Sequence, residues 1–127
     1  MLFKQLMEKA NEAGAKAVKE SGIEHHPLDC GWAWIQVQRV VGAKGGGLCG
    51  WLEYENGGPY NFTEHVGGFS YLIDGPKGRG NGSEYQQSMG MKYKHAEAMA
   101  EYINKEISKS EWASGNTAHV FAMCRYD

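Results

Sequence analysis

A chain of 127 residues with 42% apolar side chains suits one domain with its own core, and that apolar share excludes a disordered chain. With 13 Lys and Arg against 15 Asp and Glu the formal charge is −2, which argues against general binding of polyanions such as nucleic acid. The 18 glycines have no Gly-x-y period, which excludes collagen, and the 3 cysteines, Cys30, Cys49 and Cys124, contain no Cys-x-x-Cys pair and fit reduced thiols in a cytoplasm better than a disulfide framework or zinc finger.

The first predicted element is a helix over 2–20. Leu2, Leu6, Ala10, Ala13 and Ala17 recur at spacings of four and three, and Phe3, Met7 and Gly14 widen the stripe. Lys16 and Lys19 sit near its end, where cations are favoured, and Ser21-Gly22 reads as the stop. Glu8 and Glu12 within the pattern argue against a signal peptide, and no window approaches a membrane span. His25-His26-Pro27 breaks the helix, because the residue before Pro avoids helical angles. Gly31 to Val41 then alternates as a strand, with Ala33, Ile35, Val37 and Val41 on one face and Trp32, Trp34, Gln36, Gln38 and Val40 on the other. A Gly-rich turn at 42–47 and a second strand at 48–55 complete a hairpin. The third strand runs from His65 or Val66 to Asp74, with Phe69, Tyr71 and Ile73 alternating against Ser70 and Leu72. Residues 75–83 are loop. A second helix spans 85–109 on the stripe Met89, Tyr93, Ala96, Ala100, Ile103 and Ile107. Ser83 with Gln86 resembles a capping box, while Gly90 costs the first turns ~1 kcal/mol relative to Ala and favours a later start. After a turn at 114–116, Ala118 to Arg125 forms the last strand.

The order α-β-β-β-α-β predicts a single α+β domain over 1–127: a two-layer sandwich with both helices on one face of a four-stranded mixed sheet. A right-handed crossover through the second helix makes the last strand parallel to the third, and the expectation extends this to the first strand, leaving the second as the antiparallel member.

Two regions are candidate sites. If the first, third and last strands are parallel, their carboxyl ends share an edge that gathers Arg39, Lys44, Lys77, Arg79 and Arg125 beside Gly-rich turns. Backbone N–H groups and a helix N-terminus add positive potential there, so that edge suits a phosphate or carboxylate, although a Gly-rich segment such as 75–83 is more commonly a plain solvated surface loop. No Gly-Lys-Ser/Thr follows at the P-loop spacing, and Asp74 and Asp127 offer competing salt bridges. Trp32, Trp34, Trp51, Tyr71 and Phe121, with Phe69 and His119, mark an aromatic sheet face, read first as a protein interface with a host protein or a second copy, next as ordinary burial under the loop Tyr54–His65, and last as a base-stacking platform. His25, His26, Asp29 and Cys30 are metal-ligand types, but adjacent histidines seldom share one metal, so neither metal nor cofactor is assigned. Cys30 or Cys124 with a histidine would serve nucleophilic catalysis, yet no spacing fixes such a pair.

The stretch Cys30-Gly31-Trp32-Ala33-Trp34-Ile35, the pair Gly67-Gly68, Gln87-Ser88 with Lys92 leading an Ala-rich helix, and the ending Cys124-Arg125-Tyr126-Asp127 resemble small bacteriophage-encoded α+β proteins. The resemblance implies action in a host bacterial cytoplasm and no particular chemistry. The resulting expectation is an accessory protein that binds or inhibits a host protein or holds an anionic, nucleotide-like ligand. The alternative is a small hydrolase or nucleotide-modifying enzyme using the basic Gly-rich edge.

Overall fold

A computed structural model describes residues 3–24, 30–39, 62–65, 67–78, 85, 88–108 and 118–126. Helix α1 is Phe3–Ser21, strand β1 Gly31–Arg39, β2 Thr63–His65, β3 Gly68–Ile73, helix α2 Met89–Ile107 and β4 Ala118–Tyr126. The expected α+β class and element order α-β-β-β-α-β hold. The strands form one open sheet in the order β2-β3-β1-β4. No described helix is long and apolar enough to cross a membrane.

The sheet corrects two expectations. Every neighbouring pair is antiparallel, so β1 runs against both β3 and β4 instead of alongside them. β3 and β4 do run the same way, as the crossover through α2 requires, but β1 lies between them in a split β-α-β arrangement. The second strand is Thr63–His65, hairpinned onto β3, where the sequence pattern placed His65 at the start of the third strand. The strand expected at 48–55 lies outside the described residues.

Alternation along β1 decides the layers. Ala33, Ile35 and Val37 are fully buried, and the register sets them beside Ile73, Tyr71 and Phe69 on β3, with Val120 of β4 beside Val37. Helix α2 packs across this face, mainly on β1 and β4, and α1 packs along α2. Leu6, Met7, Ala10 and Val18 of α1 join Ala96, Met99, Ile103 and Ile107 of α2 and the sheet residues in one core. The α1 stripe is therefore centred nearer Met7, Asn11, Gly14 and Val18 than Ala13 and Ala17, which are half-buried. Packed against both the sheet and α1, α2 buries more than its apolar stripe, including Lys92, His95 and Glu106.

The cap of α2 also differs from expectation. Ser88, in extended conformation, accepts a hydrogen bond from Met91 N at 3.2 Å through its hydroxyl, so the helix starts at Met89. Ser83 and Gln86 lie outside the described residues. Ser88→Ala should cost about 1 kcal/mol, read as a lower urea midpoint with an unchanged slope.

Candidate functional site

The reverse face of the sheet carries the other half of the alternation. Trp34 stands beside Leu72 and Met123, Gln36 beside Ser70 and Phe121, and Trp32 beside Arg125. Trp32 is 42% exposed, Met123 38% and Phe121 37%. Trp34 is held by its indole N–H, which donates to Gln36 Oε1 at 3.2 Å. Trp32, Trp34, Leu72 and Arg125 line an open groove of about 340 Å³ at the β1-start end of this face. Two indoles provide flat apolar walls, and a guanidinium provides a forked donor for a carboxylate or phosphate. Large apolar side chains clustered in the open are unusual for a surface without a partner.

Of the residues expected at an aromatic interface, Trp32, Trp34 and Phe121 take that face. Tyr71 does not. It lies opposite Ile35 under the helices, 2% exposed and stacked on Phe62 with ring centroids 5.0 Å apart, because antiparallel pairing fixes its parity with β1's buried residues. Phe69 is in the core for the same reason. Trp51 lies outside the described residues.

The expected cationic edge is not one cluster. Lys77 and Arg125 follow or end strands that finish at the start of β1, whereas Arg39 ends β1 itself and pairs with Ala118. At ~3.3 Å per residue, the seven steps from Trp32 to Arg39 put these ends about 23 Å apart. Lys77 sits in a tight turn closed by Gly78 N donating to Gly75 O at 2.9 Å. It lines a cleft of about 450 Å³ with Glu8, Asn11, Glu12, Ala15 and Pro76, where two acids offset its charge for an anion. Gly78 has φ +84°, and a Cβ there would meet the Tyr71 hydroxyl, so this turn folds back over the core. Lys44 and Arg79 lie outside the described residues.

Distant segments meet beside the groove. Cys30 bridges to Ser88, Gly31 pairs with Tyr126, and the buried Lys92 donates from Nζ to Gly31 O at 3.3 Å. A Cβ on Gly31 would lie 2.4 Å from Arg125 O, so only Gly lets β1 and β4 close there. This junction fixes Trp32 and Arg125 relative to each other. It does not assemble a nucleophile–base pair with His119, which stands opposite Gln38 toward the far end of β1 from Cys30. His25, His26 and Asp29 lie outside the described residues.

One polar cluster escaped the sequence reading. His95, fully buried, contacts Asn11 Oδ1 through Nε2 at 2.9 Å and the Tyr85 hydroxyl through Nδ1 at 2.8 Å. Asn11 Nδ2 donates to Met7 O at 3.1 Å, which turns its carbonyl oxygen toward the ring. The network therefore assigns the proton to Nε2 and leaves Nδ1 to accept from Tyr85. Burial lowers the His95 pKa to about 4, so the imidazole is neutral at pH 7. The available signal was its place between Lys92 and Met99, on the same flank of α2.

No protein-family model, curated protein or solved structure matches the chain.

Proposed function

We propose that this chain is a binding protein of phage-accessory type, working in a bacterial host's cytoplasm by occupying a partner rather than by turnover. Its contact surface is the open sheet face, and the partner is a protein that inserts an apolar or aromatic side chain next to a carboxylate. The observation that carries this reading is the groove of Trp32, Trp34 and Leu72 with Arg125 at its rim. Aromatic and Arg side chains dominate binding energy when a partner desolvates them. An apolar wall beside a forked cation recognises such a pair of groups together.

Intrinsic Trp fluorescence tests it with peptides carrying Phe or Leu beside Asp, against the same peptides with Asn, and against nucleoside monophosphates and inorganic phosphate. The Asp peptides should bind best. Arg125→Ala should erase the Asp-over-Asn preference, and Trp32→Ala should weaken every peptide about tenfold or more, with the unfolding midpoint nearly unchanged because both residues are exposed. Preference for nucleotides would replace the protein partner with a small anion. Binding undiminished in both variants would refute the groove.

A further inference from the structure

We propose that the outer edge of β4 pairs with a second copy of this chain, antiparallel, about a two-fold axis at Cys124. β4 pairs with β1 through all nine residues, Ala118–Tyr126, without a bulge. It contains no Pro and no Lys, the devices that usually blunt an edge strand. One device is present. The Asn104 side chain donates to Val120 O at 2.6 Å and accepts from Val120 N at 3.3 Å, saturating that residue's outward peptide groups.

The antiparallel ladder alternates, so the peptide groups of Ala122, Cys124 and Tyr126 point outward on the same side as those of Val120. No described residue hydrogen-bonds them there. Asn104 thus closes the edge at Val120 and leaves a run from Ala122 to Tyr126, whose midpoint is Cys124. An axis at Cys124 pairs Ala122 with Tyr126 of the second copy and Cys124 with its own equivalent, and Asn104 stays in place. Centring on Met123 would demand the Val120 groups and displace Asn104.

The side chains match the same register. Tyr126, 65% exposed, comes to lie against the small, half-buried Ala122 of the other copy, and the reverse happens across the axis. On the groove side Arg125 faces Met123 of the second copy instead of a second Arg. This is the self-complementarity an isologous contact requires. A five-residue strand contact is smaller than the ~1,200 Å² of standard interfaces, so the dimer is weak and reversible. The contact runs along the β4 edge and meets the groove only at Arg125, so Trp32, which belongs to the groove alone, tells the two apart.

Sedimentation velocity over a concentration series tests the pairing, joined by oxidation with diamide, which takes up the two hydrogens as two thiols become a disulfide. Facing residues in a hydrogen-bonded antiparallel pair have Cα atoms about 5.5 Å apart, within disulfide reach. A monomer–dimer equilibrium is expected, with a covalent dimer that Cys124→Ser abolishes and Cys30→Ser retains. Cys124→Lys sets two cations face to face at an exposed position and should weaken the dimer about tenfold or more. Ala122→Pro removes an N–H that β1 does not use and should do the same with the circular dichroism spectrum unchanged. A strict monomer up to ~1 mM, or dimers of native strength in both edge variants, would overturn the proposal. So would a dimer lost in Trp32→Ala, which would move the contact to the sheet face. Loss of peptide binding in Trp32→Ala with the dimer intact supports both surfaces, and a dimer without peptide binding removes only the groove.

Discussion

Acidification from pH 7 to pH 4.5 should lower the unfolding free energy by roughly 2–3 kcal/mol through His95 alone. Its pKa is about 4 in the fold against 6.5 for the ordinary group. As pH falls below 6.5, the unfolded chain takes up this proton first. Between 6.5 and 4 it holds more protons than the folded chain, so stability drops through that window and levels off below it. The cause is desolvation: the imidazole lies in the core, and its two contacts are satisfied only in the neutral form with the proton on Nε2. Urea titrations at pH 7 and 4.5 measure the effect. His95→Gln, which cannot titrate, should be weaker at pH 7 and lose this share of the slope. An identical slope in that variant would show that the acid sensitivity lies elsewhere.

Gly14→Ala should destabilise the protein by about 1–2 kcal/mol, against the direction helix propensity indicates. Gly14 is mid-helix in α1, where Ala is ordinarily better by ~1 kcal/mol. A Cβ there would lie 2.6 Å from His95 Cδ2 and 2.7 Å from Cγ. The ring is pinned between Asn11 and Tyr85, so α1 must move off α2, and overpacking of this kind costs ~1–3 kcal/mol. In a His95→Ala background the obstruction is gone and the same change should stabilise. That reversal of sign in a double-mutant cycle is the decisive measurement, and destabilisation of equal size in both backgrounds would refute the ring contact.

Local periodicity is strong enough in this chain to mark the two helices, β1, β3 and β4 to within a few residues. Ala33, Ile35 and Val37 against Trp32, Trp34 and Gln36 also states which face of β1 is covered. What periodicity lacks is direction. Tyr71 alternates correctly within β3, but only pairing with Ile35 tells which face its parity selects, and that pairing joins distant segments. The groove was half legible for the same reason. Trp32 and Trp34 share a face by spacing, whereas Arg125 joins them through the register of β4. Grouping Arg39 with Lys77 and Arg125 failed because one antiparallel strand sends its own end to the opposite rim. His95 was invisible because a polar residue on a helix reads as solvated until a second helix covers it, and Gly14 gives the reason for its gap only when the ring is seen in it.

The sheet order has a consequence for how the molecule comes into being. β1 is central, yet neither of its neighbours is next to it in the chain: β3 follows a long connection, and β4 comes after α2. Among the described strands, only β2 and β3 can zip together locally. During synthesis β1 must wait, its Trp-bearing backbone unpaired on one side, until the last strand has left the ribosome. Closing so long a loop makes β1–β4 docking the slow, late step. Chains halted before Ala118 would expose β1 as a raw edge, which makes aggregation of arrested nascent chains the natural failure of this topology.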